Sequence, residues 1–315
     1  MKFRTPIDIT PFSESIDYTD SMLSVGSCFA QSVGGALKRA KFNIEINPCG
    51  VLFNPASILS SLERLRDCRL VDASEMEHRG DGTQYHYDFH SSLASLEQIN
   101  EAVERGHRAL QGAQWVVITL GTSWVYTLNQ SGAVVANCHK QPSSLFTRRR
   151  LSTTEVVGIL EYIVETILPD KRVIFTLSPI RHVSDGLADN SLSKATLRVA
   201  IDEVVSRHSR RLFYFPSYEI LLDDLRDYRF YGEDMVHPSS VAVEYIWELF
   251  QGAALGQRSA NQLSRVMKVV RATEHRPFDV ESESFKAFCR SQLEAISRLE
   301  GLEWSEEIDY FSQYK

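Results

Sequence analysis

The stretch MLSVGSCFAQSVGGALKRA, residues 22–40, joins a short apolar run to a helix-like segment through a glycine and two nucleophilic side chains. Its first four residues are typical of a buried strand, and the apolar residues that follow Cys28 recur at helical spacing. Gly26 permits a tight turn between the two elements. Two interpretations of Ser27 follow from this position, a catalytic nucleophile at a strand-to-helix turn or a plain helix N-cap.

Four further apolar runs repeat the same strand-then-helix pattern. They are FNIEI (42–46), WVVITL (115–120), RVIFTLSPI (172–180) and LFYFPS (212–217). Helix-like segments separate them, as is typical of parallel strands joined by helical crossovers. We therefore expect an α/β protein with three α/β/α layers around a flavodoxin-like sheet of about five mainly parallel strands. Polar stretches at 70–92 and 125–150 interrupt the pattern and are expected to be inserts with hairpin-like pieces.

The alternation of apolar strand-like runs with helix-like segments ends near residue 255. The segments ANQLSRVMKVVRA (260–272) and FKAFCRSQLEAISRL (285–299) that follow are amphipathic at helical spacing. We expect a sheet domain over residues 1–255 and a helical C-terminal extension over 256–315 that packs on it. The alternative role for the extension is a dimerisation arm, which would make the protein a homo-oligomer through these helices.

Composition excludes several classes of protein. The chain has 34 Lys and Arg against 41 Asp and Glu, a net charge of −7, so it carries no electrostatic footprint for general nucleic-acid binding. Its one basic run, residues 148–150, is expected to be a solvated loop or a helix entry. No apolar run approaches the roughly 18 residues of a membrane span. Because the first fifteen residues lack the apolar core of a signal peptide, we expect a cytoplasmic protein.

Cysteine and histidine patterns give no metal site. The five cysteines are odd in number, scattered and without a C-x-x-C pair, so they are expected to be reduced thiols. His86 and His90 have the spacing of metal ligands on a helix, but their tract alternates like a strand. We therefore expect no metal and no cofactor, and we favour His90 as a residue that lines the cleft.

Glycine or polar residues stand where each of the five predicted strands ends. These sets are Gly26 to Cys28, Asn47 to Gly50, Gly121 to Trp124, Ser178 to His182, and YGEDMVHPSS (231–240) after the fifth strand. In open α/β sheets the ligand site lies at the carboxyl ends of the strands. We therefore expect a functional site at this edge of the sheet.

Three of these residues have the chemistry of a serine hydrolase, which needs a nucleophile, a base and an acid that orients the base. Ser27 supplies the nucleophile at a helix N-terminus, which favours developing negative charge. His237 can act as the base, and Asp234, three residues earlier, can reach its other ring nitrogen. Cys28 lies one residue inside the helix, so it should point away from the cleft and serve as a packing neighbour.

The order of these blocks resembles the SGNH/GDSL esterase superfamily. More narrowly, GSCFA (26–30) is the signature of the GSCFA-domain family, and the match extends over roughly residues 1–255. Other similar blocks are NPCGVLFNPASI (47–58), LGTSWVY (120–126), SPIRHVSDGLADNSLSKATLR (178–198) and YFPSYEILLDDLRDYRFYGEDMVHPS (214–239). The resemblance implies an SGNH-like fold, with Ser27 as nucleophile, His237 as base and Asp234 as its partner.

The resemblance also implies an oxyanion hole. Its backbone donors would be the N–H groups of Ser27 and Gly50, although Gly50 is equally consistent with a turn glycine. Ser123 stands where the superfamily places an asparagine. Because a hydroxyl reaches less far than an amide, Thr122 and Asn54 are further candidates for this donor. Losing one such donor costs a serine hydrolase about 100- to 1,000-fold in rate.

Further residues at the same edge are candidates for substrate binding. Arg181 and His182 end a buried strand, where we favour a substrate-pocket role over a structural hydrogen bond. Trp124, together with Tyr126, is equally consistent with a platform for sugar stacking and with core packing.

These observations predict a serine-dependent acyl-ester hydrolase whose substrate is a small-molecule or carbohydrate ester, such as an O-acetylated sugar. An O-acyltransferase that uses the same triad is the alternative when a sugar hydroxyl resolves the acyl-enzyme. The competing class is a non-catalytic carbohydrate-binding or scaffold protein with a degenerate oxyanion hole, which the departure at Ser123 supports.

Overall fold

The computed structural model, which describes residues 4–315, alternates strands with helices along most of its length. The strands are β1 (Ser21–Gly26), β2 (Asn43–Ile46), β3 (Glu77–His78), β4 (Gln84–Tyr85), β5 (Trp115–Leu120), β6 (Trp124–Leu128), β7 (Val134–Val135), β8 (Phe146–Arg150), β9 (Arg172–Leu177) and β10 (Leu212–Phe215). The helices are α1 (Cys28–Arg39), α2 (Pro55–Arg66), α3 (Leu96–Gly112), α4 (Thr153–Tyr162), α5 (Leu187–Arg207), α6 (Ser217–Glu219), α7 (Ser240–Ala254), α8 (Gln257–Thr273), α9 (Glu283–Ser297) and α10 (Ser305–Ser312).

Five parallel strands form the central sheet, in the order β10-β9-β5-β1-β2. Every pairing among them is parallel. The order places β1 beside β5, so that Gly26 is opposite Thr119 at the end of both strands. This is the flavodoxin-like order, and the predicted fold class is confirmed.

Helices cover both faces of the sheet, which explains why its strands are continuously apolar. Every residue of β5 is buried, and its side chains alternate between two cores. Val116 and Ile118 belong to the core that includes Leu62 of α2. Trp115 and Val117 belong to the core on the opposite face.

The second insert contains a hairpin, as expected, and a further strand that was not predicted. Strands β6, β7 and β8 form a separate antiparallel sheet in the order β7-β6-β8. The basic run at 148–150 lies within β8, so the expected loop or helix entry is wrong. Pairing with β6 places Arg148 opposite Tyr126, and the Arg148 guanidinium lies 4.2 Å from the centre of the Trp124 ring. Cross-strand pairing therefore places the basic run in a strand, and a cation–π contact holds Arg148, although Arg148 and Arg149 remain exposed.

The C-terminal helices α8, α9 and α10 form a third core. A part-buried ion pair of 2.7 Å between Lys41 and Glu307 joins α10 to the sheet layer, and Ser259 of α8 donates a hydrogen bond of 2.8 Å to Asp17. The domain boundary at 255/256 and the homo-oligomer remain predictions. Among residues 4–315, no helix combines the length and the apolar character that a bilayer crossing requires.

Candidate active site

Ser27 lies between β1 and α1 with only 1% of its surface exposed. It is the N-cap of α1, and its Oγ accepts a hydrogen bond of 3.3 Å from the Phe29 N–H. Gly26 has φ +136°, and a methyl group on it would lie 2.1 Å from the Thr119 carbonyl oxygen. Only glycine fits this close approach of β1 to β5, which explains the tight turn before Ser27.

Cys28 is the first residue of α1 and is half-buried. Its side chain packs beside the core on the α1 face of the sheet. Burial raises the pKa of its thiol above the usual value, so the thiol is a poor source of thiolate. Of the two neighbouring nucleophiles, the geometry favours Ser27.

Asp234 and His237 form a hydrogen-bonded pair in the loop before α7. Nδ1 of His237 lies 2.6 Å from Oδ2 of Asp234. The other carboxylate oxygen accepts the N–H groups of Val236 and His237, each at 2.9 Å. These backbone hydrogen bonds, followed by the contact with the imidazole, lower the pKa of Asp234 to about 2. The carboxylate therefore both shapes the loop and orients the ring.

The structure does not join this pair to Ser27 through a hydrogen bond. Among the described residues, Nε2 of His237 has no hydrogen-bond partner, and Ser27 Oγ is engaged by the Phe29 N–H. The His237 side chain is 51% exposed, whereas Ser27 is buried. Asp234 and His237 of the predicted triad are thus in contact. Ser27 lies at the same edge of the sheet, but its hydroxyl is hydrogen-bonded to the Phe29 N–H.

The predicted oxyanion donors already have acceptors within the protein. The Ser27 N–H donates to the Thr119 carbonyl at 3.1 Å, and the Gly50 N–H donates to the Asn47 carbonyl at 2.8 Å. Ser123 is fully buried, and its hydroxyl donates to Ser193 Oγ at 3.0 Å. The hole predicted from the sequence is therefore not open in this structure, because turn and loop hydrogen bonds use the same groups.

The two alternative donors also have roles in the local backbone. Asn54 is the N-cap of α2, and its Oδ1 accepts the Ser57 N–H at 2.8 Å, which leaves its Nδ2 group without a hydrogen-bond partner among the described residues. Thr122 Oγ1 lies 3.0 Å from Ser193 Oγ and accepts the Trp124 N–H at 3.2 Å. Both side chains stabilise the local backbone.

One face of α5 organises the two loops that follow β5 and β9, and none of its residues was among the predicted site residues. Asn190 Oδ1 accepts the His182 N–H at 3.0 Å, and Ser193 Oγ accepts the Ser123 N–H at 2.8 Å. Lys194 is fully buried and donates to the Ser178 carbonyl at 2.6 Å. The signal was present, because polar residues at positions i, i+3 and i+4 share a helix face that should be apolar.

His182 and Ser27 both adjoin Gly121. A methyl group added to Gly121 would lie 3.3 Å from Ser27 Cβ and 3.4 Å from His182 Nε2. The imidazole meets the Phe53 ring edge-on, with ring centres 5.7 Å apart. Burial, followed by the positive charge of Lys194, lowers the pKa of His182 to about 4. The residue therefore presents a neutral imidazole beside the candidate nucleophile.

Arg181 binds the protein itself. Its guanidinium donates 2.6 Å to the Tyr231 hydroxyl, lies over that ring at 4.1 Å, and also reaches the Tyr228 hydroxyl at 3.4 Å. Its backbone N–H donates to the Val236 carbonyl at 3.5 Å. Arg181 thus connects the loop after β9 to the loop that carries Asp234, which fits the structural alternative.

The other predicted pocket residues are held in separate contacts. The Arg148 guanidinium covers one face of Trp124, so that face is not open to a sugar. Tyr126 is 39% exposed, and the same guanidinium lies 5.4 Å from its ring centre. His90 Nδ1 lies 3.0 Å from Ser92 Oγ, and the His90 Cβ occupies the space beside Gly50.

A group of side chains that could hold a metal lies at the opposite end of the sheet, near the start of β10. Glu161, Glu165 and His208 bring their ligand atoms together there. Glu161 also accepts a hydrogen bond of 2.9 Å from Arg207. The group is far along α5 from the strand ends described above and takes no part in that site.

Two solved structures resemble the chain only distantly. An acetyl xylan esterase (Est2A) from the rumen bacterium Butyrivibrio proteoclasticus is 11% identical, with a TM-score of 0.39 over 75% of this chain and 65% of that one. A second solved chain is also 11% identical, with a TM-score of 0.36 over 75% of this chain and 96% of its own. Likeness at this level carries no argument about activity. No curated protein matches the chain.

Family models match most of the sequence. The model of the GSCFA family matches residues 21–250, which include the whole central sheet and the loop of Asp234 and His237. The model of the GSCFA domain protein, C-terminal domain, matches residues 266–314. The chain therefore belongs to the GSCFA family.

Proposed function

We propose that the protein is a serine-dependent acyl-ester hydrolase with Ser27 as nucleophile, His237 as general base and Asp234 as the residue that orients it. The observation that carries the proposal is the 2.6 Å contact between Asp234 and His237 at the sheet edge where Ser27 begins α1. A carboxylate on Nδ1 fixes the tautomer whose Nε2 accepts a proton. That nitrogen has no other partner among the described residues.

The reaction needs a small rearrangement at Ser27. Its Oγ must turn from the Phe29 N–H, a contact of 3.3 Å, toward Nε2 of His237. Catalytic hydrogen bonds are often long or misaligned without substrate and tighten in the bound complex. The half-exposed loop of His237 leaves room for such an approach.

In the first half-reaction, His237 takes the Ser27 hydroxyl proton as Oγ bonds to the acyl carbon. The carbonyl electron pair moves to oxygen, and the tetrahedral intermediate then expels the alcohol, which receives the proton from His237. Water repeats the sequence on the acyl-enzyme and releases the acid. The N-terminus of α1 lies next to the developing oxyanion, and the Cys28 N–H there donates to no backbone carbonyl among residues 4–315.

O-acylated carbohydrates are the substrates we propose within this class, and a sugar hydroxyl in place of water would make the same machinery an acyltransferase. A panel of aryl acetates, acetylated xylo-oligosaccharides and longer-chain aryl esters tests the choice. Release of acetate from the sugars at a higher kcat/KM than from aryl acetate supports a carbohydrate ester. Preference for long acyl chains would contradict it.

A non-catalytic protein is the second candidate. The burial of Ser27 and its occupied neighbouring donors favour it. Turnover of an aryl acetate by the wild-type protein, Ser27→Gly and Cys28→Ala separates the candidates. Glycine is a suitable replacement because it is nearly as good an N-cap as serine. We expect turnover in wild type and Cys28→Ala and none above background in Ser27→Gly. Equal turnover in all three would overturn the proposal.

A further inference from the structure

A neutral imidazole beside Ser27 has no partner in the structure. Among the described residues, neither ring nitrogen of His182 makes a hydrogen bond. Its backbone is nevertheless fixed, because the N–H donates to Asn190 Oδ1, and the Phe53 ring confines the imidazole from one side. The ring is therefore held in position with its polar atoms uncommitted.

The Nε2 atom adjoins the space in which an intermediate on Ser27 would form. The position that a β-carbon on Gly121 would take lies 3.3 Å from Ser27 Cβ and 3.4 Å from His182 Nε2. A tetrahedral carbon attached to Ser27 Oγ needs a donor within roughly 3 Å of its oxyanion. The third atom near this position is the Phe53 carbonyl oxygen, at 3.1 Å.

Ser123, which stands where the superfamily places an asparagine donor, is already engaged elsewhere. Ser123 is fully buried, and both its N–H and its hydroxyl are directed at Ser193. The Thr122 hydroxyl meets the same serine. Because α5 holds both residues, freeing either one would leave buried polar groups unpaired.

We propose that His182 is a catalytic residue that donates its Nε2–H to the oxyanion of the tetrahedral intermediate. This inference rests on the proposed function of Ser27. The carbonyl π electrons become the lone pair of the oxyanion, and Nε2–H makes a hydrogen bond to it without transferring its proton. The proton of Ser27 goes to His237.

The electrostatic surroundings suit a donor better than a base. Burial and the nearby Lys194 lower the pKa of His182 to about 4, so the ring is neutral near pH 7 and keeps one N–H. A base with that pKa would accept the serine proton poorly. His237, in contrast, has a carboxylate partner.

The test compares wild type, Ser27→Ala, His182→Ala and His182→Gln, with His275→Gln, an exposed residue just beyond the end of α8, as the control. Turnover of an aryl acetate is measured per active site, and the sites are counted by the end point of phosphonate labelling. An alkylboronic acid, which forms a tetrahedral adduct on serine, supplies an inhibition constant for each variant.

For His182→Ala we expect kcat to fall about 100- to 1,000-fold with KM nearly unchanged, and boronate inhibition to weaken in parallel. Glutamine should restore part of both losses, because its amide can donate. An unchanged kcat and boronate affinity in His182→Ala, with Ser27→Ala inactive, would overturn this inference alone. A His182→Gln variant as inactive as Ser27→Ala would also overturn it. That result would indicate that His182 acts as a base, which an amide cannot replace. Activity that survives Ser27→Ala would overturn the proposed function.

Discussion

Ser27 Cβ and His182 Nε2 lie on the same side of Gly121, 3.3 Å and 3.4 Å from the position that a β-carbon on this glycine would take. The three residues follow three different strands, β1, β9 and β5, which are adjacent in the sheet. Parallel pairing of those strands therefore creates the arrangement, and no single segment of the sequence contains it.

Gly121→Ala tests this arrangement. The added methyl group would lie 3.1 Å from the Phe53 carbonyl oxygen and in tight contact with both Ser27 and His182. We expect kcat for an aryl ester to fall about 10- to 100-fold as the two side chains are displaced. Overpacking should also lower the free energy of unfolding by about 1–3 kcal/mol.

Gly158→Ala is the matched control, because it lies on the exposed face of α4 with open space around it. Alanine should stabilise that helix by up to about 1 kcal/mol and leave kcat unchanged. Full activity of Gly121→Ala would show that the space between Ser27 and His182 is not used in the reaction.

Substitution of either member of the Asp234–His237 pair should also lower activity. His237→Gln removes the base, so kcat/KM should fall about 100- to 10,000-fold. Asp234→Asn keeps an oxygen for the N–H groups of Val236 and His237 but removes the charge on Nδ1, so it should also lose activity with little change in thermal stability. Ester hydrolysis and a melting curve measure both effects. Glu233→Gln, an exposed neighbour, should behave as wild type, and an active His237→Gln would rule out this base.

Arg181 is expected to act through the loop that carries Asp234. Arg181→Met removes the contacts with Tyr231 and Tyr228, so we expect faster amide exchange over residues 228–238 and a lower kcat with KM nearly unchanged. Tyr231→Phe removes the hydroxyl that accepts the 2.6 Å hydrogen bond from Arg181. It should therefore reproduce part of the faster exchange and part of the fall in kcat. Arg258→Met, on the exposed start of α8, is the control. A rise in KM alone would instead indicate that Arg181 binds substrate.

Lys194 predicts a pH dependence of stability. Burial lowers its pKa to about 7 in the folded protein, whereas an unfolded lysine titrates near about 10.4. Between these values the unfolded state binds more protons, so the free energy of unfolding should rise with pH, by up to about 4 kcal/mol from pH 7 to pH 10. Urea titrations of wild type and Lys194→Met at several pH values measure the slope. Parallel pH curves for the two proteins would contradict a lowered pKa.

The central sheet was predictable because its strands are apolar on both faces. The run WVVITL is buried throughout, and helices such as α1 and α3 are amphipathic, although α5 is not. The hairpin-like pieces predicted for the second insert correspond to β6 and β7, but β8 was not recognised, because its charged run, Arg148 to Arg150, resembles a solvated loop. Helix α10 was also missed, and it is short, with an acidic first turn.

The contact between Asp234 and His237 was predictable because three residues separate its members. The donors around Ser27 were not, because backbone turns decide them. Asn47 has φ +45°, and its carbonyl and amide side chain hold the N–H groups of Gly50 and Gly26. The position of His182 beside Gly121 depends on the register of β9 against β5, which no local pattern reveals.

Covalent labelling shows directly whether Ser27 is the nucleophile. The wild-type protein, Ser27→Ala and Cys28→Ala are treated with an aryl phosphonate, and peptide mass spectrometry locates the adduct. We predict one adduct, on Ser27, which persists in Cys28→Ala and is absent from Ser27→Ala. A wild-type protein that takes up no phosphonate, or an adduct that survives Ser27→Ala unchanged, would contradict a serine nucleophile at this turn.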